Sequence, residues 1–422
     1  MEGGVVACLR ERGLIDAMTS EDLEKELLSP SKVYIGFDPT ADSLHLGNFM
    51  GMVVLAWFQR FGHTPVVLLG GATGKIGDPS GKSQERPLLE EETLQHNIQC
   101  IRTNFHRIFD FSGKLPQPLF LNNADWFASF SFVDFLREIG KLFRIGPMLA
   151  KESVRSRVQS EEGMSFTEFS YQLLQAYDFL FLFEERGVHL QMGGSDQWGN
   201  ITAGIDLIRR KLGKSAYGLT FPLITRSDGK KFGKSEEGAI WLSEEKLSAY
   251  QFYQYIMRIP DADVIPLLKK LTFLDLQEIH MLEKQMQTDP SYVPNTAQRK
   301  LAQELTLLVH GQEGLEKAMR ATEGSLGSLS VEVIEQIAQD IPNIALKKEE
   351  VLHQKFADLA VMSHLLSSKG EAVRLIRNGG AYLNHKKIED PSWMIQESDL
   401  IGGRFLLLGS GKKTKVLVRL VS

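Results

Sequence analysis

The sequence predicts an α/β protein in three parts: a parallel-sheet domain, a helical segment, and a small α+β domain at the C-terminus. Three observations predict this. Over the first ~220 residues, short apolar runs ending in Gly, Asn or Asp alternate with longer amphipathic stretches, the pattern of strands crossing to parallel neighbours through helices. The chain is 422 residues long, more than one compact core organises. Charge is divided along it: the net charge is −5, yet Leu346–Ser422 holds thirteen Lys and Arg against eight Asp and Glu, a local +5 that leaves −10 on the preceding residues. An acidic body with a basic tail is the asymmetry of a chain in which one part meets a polyanion.

Taken in order, strands are predicted over 33–37, 65–69, 118–121 and 189–192, and helices over 46–61, 91–109, 166–184 and 197–212. Ligands of such sheets lie beyond the carboxyl ends of the strands, near a switch in strand order. SEEKLSAYQFYQYIMRI opens with a serine followed by acids, a helix start. QRKLAQELTLLVHG carries leucines at helical spacing and is expected to end on Gly311. ATEGSLGSLS reads as a linker. A new unit begins near 350, with a helical DLAVMSHLLSS, then GEAVRLIRNGGAYLNHKKIED, then strand-like FLLLG and KVLVRL. The expected organisation is therefore 1–225 for the sheet domain, 226–320 for a basic loop and helices, 321–349 for the linker and 350–422 for the terminal domain.

Composition removes several function classes. Cys8 and Cys100 are far apart and form no Cys/His cluster, so neither a zinc site nor a disulfide framework is expected, and no protein-bound metal. No apolar run approaches the ~18 residues of a membrane helix. The N-terminal MEGGVVACLRERGLID lacks a signal-peptide core, so a cytoplasmic location is expected.

Five segments could carry chemistry. In YIGFDPTADSLHLGN a strand ends at Phe37, a turn follows at Asp38-Pro39-Thr40, and a helix starts at His45. A helix N-terminus offers free N–H groups and positive dipole to phosphate. Gly47 would let a nucleotide lie against the backbone, and Thr40 and His45 would add donors. In GKKFGKS, Lys231 and Lys234 stand three apart around a glycine, a basic loop able to close on a triphosphate. GGATGKIGDPSGKSQER invites a P-loop reading, but Gly81-Lys82-Ser83 would need glycine at 76, which is Ile76. It remains a glycine-rich loop bearing Asp78, Lys82 and Arg86. In FTEFSYQLLQAYDF, Tyr171, Gln175 and Asp178 fall at i, i+4 and i+7, one helix face among aromatic residues, suited to a polar pocket in an apolar wall. In QMGGSDQWGN, Gly193 and Gly194 permit close approach of a ligand, Asp196 could hold ribose hydroxyls and Gln197 would face the same cleft.

HxGN and KxxKS at the two ends of the sheet domain are similar to the paired signatures of class I aminoacyl-tRNA synthetases. The whole of 33–241 resembles the bacterial tyrosyl-tRNA synthetases: YxGFDPTADSLHxG, GGATGxIGDPSG, SFTEFSYxxLQAYDF, GGSDQWGNI and KFGKS follow in order. The resemblance implies a Rossmann-like catalytic domain with an insertion at about 122–163 forming the interface of a homodimer. It implies that Tyr34 and Asp178 hydrogen-bond a substrate phenol. Tyr171, Asp78 and Gln175 would bind its ammonium group, and Gln197 would complete the pocket. Thr40 and His45 would contact the departing phosphates, over which Lys82, Arg86, Lys231 and Lys234 close; Asn48, able to donate to a ring oxygen, and Ser235 would complete the catalytic set. Gly36, Asp38, Gly47, Gly194 and Asp196, with Lys234, would line the ATP side. Three positions depart from the family pattern: Asn48 stands where histidine is usual, Ile35 where a small residue is usual, and Gly51 offers the ribose no side chain. The terminal unit is similar to a small RNA-binding domain of ribosomal-protein type, which implies RNA contacts from Arg374, Arg377, Lys386 and Lys387. The reaction implied is activation of L-tyrosine by ATP, carried with magnesium, followed by transfer to tRNA(Tyr).

Overall fold

The computed structural model describes residues 4–82, 89–160, 163–225, 227, 229, 232–235, 238–323, 334, 338, 342–384, 386–411 and 414–421. The chain forms two compact units: Met1–Leu247 with Tyr255–Gly311, and Ser248–Gln254 with Gln312–Ser422.

The first unit is built on a six-stranded sheet of β1 (Ala17–Met18), β2 (Lys32–Phe37), β3 (Thr64–Leu69), β4 (Leu119–Asn122), β5 (Val188–Gly194) and β6 (Tyr217–Phe221), in spatial order β1-β6-β5-β2-β3-β4. Five strands are parallel, as expected from the strand–helix alternation; the two-residue β1 adds an antiparallel edge against β6 that no periodicity announces. From β2 the chain builds outward through β3 and β4, then returns to place β5 on the other side of β2. The switch in strand order falls between β2 and β5, so the cleft opens beyond Phe37 and Gly194.

Strand β3, TPVVLL, is buried along nearly its whole length because helices cover both faces of the sheet. The Leu46–Arg60 helix is buried on almost every side, which is why its sequence, LGNFMGMVVLAWFQR, has no polar stripe. The Phe166–Arg186 helix starts where the Ser165 side chain accepts from the Glu168 N–H, and stops at Gly187 with φ 65°. The Trp198–Leu212 helix stops in the same way at Gly213. These two helices approach closely at Gly204, where an added Cβ would stand 3.0 Å from the Phe179 ring. Their contact aligns the polar ends of both helices at the carboxyl edge of the sheet.

The expected stop at Gly311 is a break rather than an end. Gly311 takes φ 73° and ψ −175°, and the helical run Thr296–Glu323 resumes beyond it. The good helix formers of QEGLEKAMRATE account for the restart, so the first three residues of the expected linker are helical.

The second unit holds a five-stranded sheet of β7 (Asn343–Lys347), β8 (Ala381–Leu383), β9 (Lys386–Lys387), β10 (Phe405–Ser410) and β11 (Thr414–Val421), in order β9-β8-β10-β11-β7. Phe356, Leu359 and Ile376 from the helices Phe356–Met362 and Lys369–Arg377 pack on Leu406, Leu408 and Val418.

Candidate active site

One end of the cleft holds two buried groups able to read a phenol. Tyr34 sits on β2 and Asp178 on the Phe166–Arg186 helix, 1% and 2% exposed. Asp178 Oδ1 accepts from Trp126 Nε1 at 2.8 Å, and Oδ2 accepts from Asn123 Nδ2 at 3.0 Å. Burial pushes the Asp178 carboxyl up to about 8, against these two donors, which favour its charged form. The Tyr34 phenol is also pushed well above its ordinary value, by burial and then by the charge of Asp178. Its hydroxyl is buried with no hydrogen-bond partner among the described residues. An orphaned buried hydroxyl costs free energy, and a second hydroxyl lying between Tyr34 and Asp178 would satisfy both.

From Asp178 a chain of hydrogen bonds crosses the carboxyl edge of the sheet. Asn123 Nδ2 also donates to Thr73 Oγ1 (2.9 Å), Thr73 donates to Asp38 Oδ1 (2.7 Å), and Tyr171 donates its hydroxyl to Asp38 Oδ2 (2.8 Å). Gly70 makes room for this: a Cβ there would lie 2.0 Å from Asp38 Oδ1 and 2.5 Å from Thr73 Oγ1. Asp38 was expected on the ATP side; its carboxylate also orients Tyr171.

At the other end Asp78, Gln175, Gln197 and Asn200 converge. Gln197 Nε2 donates to Asp78 Oδ2 at 2.6 Å, Gln175 Nε2 to Gln197 Oε1 at 3.2 Å, and Asn200 Nδ2 to Gln175 Oε1 at 3.0 Å. The Ser80 N–H donates to Asp78 Oδ1 at 2.9 Å. The result is a carboxylate and amide oxygens gathered beside the Tyr171 hydroxyl, with neutral donors on the carboxylate. A cationic group on a ligand would supply the missing positive charge.

On the nucleotide side, His45 is the N-cap of the Leu46–Arg60 helix: Nδ1 accepts from the Gly47 N–H (3.1 Å) while Asn48 Oδ1 accepts from the His45 N–H (3.2 Å). Asn48 therefore completes a capping box, work for which its amide oxygen suffices. Thr40, Gly36, Gly47 and Asp196 are exposed along the cleft, with Gly194 at the end of β5. The two signatures meet. Leu46 N–H donates to Ile240 O at 2.7 Å, and Gly233, at φ 84°, lies so close that a Cβ would stand 2.9 Å from the Gly47 nitrogen. Lys234 and Ser235 form a two-residue strand with Gly238–Ala239, their side chains lying outside the described ones. Arg86 and Lys231 lie outside the described residues.

Beside Gly81, Lys82, Ser195 and Asp196 a cavity of about 1170 Å³ opens against the insertion, lined also by Arg144, Lys151, Arg157, Trp198 and Arg210. Lys151 Nζ is buried without a hydrogen-bond partner among the described residues, and desolvation lowers it to about 8. In the second unit Arg374, Arg377, Lys386 and Lys387 are all exposed. Sequence reasoning missed Thr73, Asn123, Trp126 and Asn200. Asn123 does follow a strand at the carboxyl edge, in NNADW, and Asn200 opens a helix after a glycine pair. Position alone marked them, with no spacing rule to single them out.

A parallel sheet with a switch point, a His45-capped helix beyond its carboxyl edge and a glycine–lysine loop stitched to it make up a class I synthetase site. The family described as "tRNA synthetases class I (W and Y)" matches residues 26–327, and the "Tyrosine--tRNA ligase SYY-like C-terminal domain" matches 333–418. The tyrosine–tRNA ligase of Protochlamydia amoebophila is 57% identical over 421 residues, covering 99% of both chains. The chloroplastic/mitochondrial tyrosine–tRNA ligase of Arabidopsis thaliana is 52% identical, over 99% of this chain and 83% of that one. The structure of a C-terminally truncated mitochondrial tyrosyl-tRNA synthetase of Aspergillus nidulans superposes with a TM-score of 0.67 at 32% identity, covering 76% of this chain and 94% of that one. The chain belongs to the tyrosine–tRNA ligase family.

Proposed function

We propose that the chain activates L-tyrosine with ATP, giving tyrosyl-adenylate and pyrophosphate, and then transfers the tyrosyl group to the 3′ end of tRNA(Tyr). The observation that carries the tyrosine reading is the pairing of Tyr34, whose buried hydroxyl is unpartnered, with Asp178, at the far end of a pocket whose mouth gathers Asp78, Gln175 and Tyr171. An amino acid with a hydroxyl at the tip of an aromatic side chain fits both ends. Phenylalanine would leave Tyr34 and Asp178 without the hydroxyl in a desolvated site.

In the first step the tyrosine carboxylate attacks the α-phosphorus of ATP, and the bond to the bridging oxygen breaks so that pyrophosphate carries the charge away. No side-chain nucleophile takes part. Asp78, Tyr171 and Gln175, completed by Gln197, hold the ammonium group. Tyr34 and Asp178 fix the ring, and the reacting carboxylate is thereby held against the nucleotide. Thr40 and His45 with Asn48, at the positive end of the Leu46–Arg60 helix, meet the phosphates. Lys82, Arg86, Lys231, Lys234 and Ser235 stabilise the charge that develops on pyrophosphate. Gly36, Asp38, Gly47, Gly194 and Asp196 face the nucleoside. Magnesium enters with ATP, on phosphate oxygens.

For the second step, the cavity beside Asp196 presents Lys82, Lys151 and Arg210 to an anionic backbone, and Arg374, Arg377, Lys386 and Lys387 offer a second basic surface. The working form is a homodimer. Phe132, Val133 and Ile145 of the insertion and Phe166 just after it, each more than 60% exposed, are apolar surface of the kind a second copy covers. We place the reaction in the cytoplasm, where a bacterial-type synthetase meets its tRNA. The test is ATP–pyrophosphate exchange with tyrosine, tryptophan and phenylalanine in turn. Exchange with tyrosine alone is expected; exchange with tryptophan would overturn the roles of Tyr34 and Asp178. Sedimentation equilibrium at a monomer mass would overturn the dimer.

A further inference from the structure

Asn200 is 4% exposed and stands in the first turn of the Trp198–Leu212 helix, directly after the GGSDQWG turn. Its amide nitrogen is surrounded by oxygens: Gln175 Oε1 at 3.0 Å, Ser80 Oγ at 3.3 Å, Gln197 Oε1 at 3.4 Å and Asp78 Oδ1 at 3.4 Å. It brings only donors to that corner.

The consequence lies in direction. A glutamine amide has two faces of opposite polarity, and nothing in its shape decides which way it turns. Asn200 donates to the Gln175 oxygen, so the Gln175 NH₂ must point to Gln197 Oε1. That oxygen is then an acceptor, so the Gln197 NH₂ must point to Asp78 Oδ2. Reversing either glutamine would set N–H against N–H in a half-buried site, at the cost of unmade hydrogen bonds. The relay has one stable direction, held at one end by the Asp78 carboxylate, which only accepts, and at the other by the Asn200 amide nitrogen, which only donates. With that direction set, the Gln175 oxygen and the Asp78 carboxylate keep acceptor lone pairs for a positive group.

We infer that Asn200 is a positioning residue for the ammonium pocket: it fixes the amide polarity of Gln175 and Gln197 and thereby the affinity for the α-ammonium group of the amino acid. The inference rests on the tyrosine reading above and deepens it. Asn200 does not itself touch the substrate, so its effect is confined to ligands that carry the ammonium.

The experiment compares wild type with Asn200→Leu, which keeps the volume and removes the donors, and with Asn200→Ser, which keeps one donor in a smaller side chain. Tyrosine KM and ATP KM are read by ATP–pyrophosphate exchange. Inhibition constants are read for tyramine, which has the ammonium but no carboxylate, and for 3-(4-hydroxyphenyl)propionate, which has the carboxylate but no ammonium. In Asn200→Leu the tyrosine KM and the tyramine constant are expected to rise together by about tenfold or more, the size set by losing one or two buried donors. The constant for the des-amino acid and the ATP KM should stay within about twofold of wild type, and Asn200→Ser should fall between. Equal losses for tyramine and the des-amino acid in both variants would mean a general collapse of the pocket and overturn the inference, as would unchanged tyrosine KM. Wild-type protein that fails to exchange with tyrosine would instead remove the reading on which the inference stands.

Discussion

Replacing Asn123 by alanine tests whether the phenol end of the pocket is held from behind. Asn123 is fully buried; its Oδ1 accepts from the Ala72 N–H at 2.7 Å, and its Nδ2 donates to Thr73 and to Asp178 Oδ2. Of these three bonds only the last bears on a group proposed to meet the substrate. A hydrogen bond to a charged group contributes about 1.5–3 kcal/mol, and about 1.4 kcal/mol is tenfold. Tyrosine kcat/KM in Asn123→Ala should therefore fall roughly tenfold to a hundredfold. The measurement is pyrophosphate exchange at pH 9, above the point near 8 at which the Asp178 carboxyl ionises. ATP KM should move far less. A second readout follows from charge. Asn123 is the first of the two donors that pull the Asp178 value down, so its loss should move that ionisation further above 8, seen as an upward shift in the pH dependence of tyrosine binding. Tyrosine kinetics within twofold of wild type, with no shift in the pH profile, would refute the account of Asp178 as a group oriented by its neighbours.

Four further outcomes are expected. Asp178→Ala should nearly abolish tyrosine activation, and near-normal exchange would remove the phenol assignment. Gly233→Ala should cost activation by a hundredfold or so while leaving tyrosine binding within a few-fold in equilibrium dialysis, because a Cβ would strain a backbone at φ 84° and press on Gly47. Deleting residues after about 345 should impair tRNA charging but spare adenylate formation, and equal loss of both would count against separate roles for the two units. The Asp178 contribution to the stability of the ligand-free protein should fall as pH rises from about 4 to 8. Asp178 holds its proton more tightly folded than unfolded, so its contribution is full below its ordinary value of 3.8 and lost through about 8. Thermal midpoints of wild type and Asp178→Leu should converge at acid pH and separate at alkaline pH in favour of the variant; parallel curves would contradict the buried, proton-holding carboxyl.

Much of the fold was legible because it is written in local periodicity. Strands 33–37 and 65–69 lie inside the observed Lys32–Phe37 and Thr64–Leu69, and the helix read over 166–184 runs to Arg186. Where the reading fell short, the cause was tertiary. Ala17–Met18 is a strand only because β6 lies beside it, and Gly311 looked like a terminus because a positive-φ glycine ends many helices.

The sequence by itself determined the parts whose chemistry is local. Tyr171, Gln175 and Asp178 share a face because a helix repeats every 3.6 residues, and the HLGN and KFGKS segments carry their own turns and caps. Only the tertiary structure decided how those parts are oriented. Asp178 takes its donors from Asn123 and Trp126, 55 and 52 residues away, Tyr171 is held by Asp38 across 133, and Asn200 reaches Asp78 across 122. Such bonds carry no spacing and no periodicity. They exist because a parallel sheet brings the carboxyl ends of strands distant in sequence to one edge, where buried polar groups must find partners in each other.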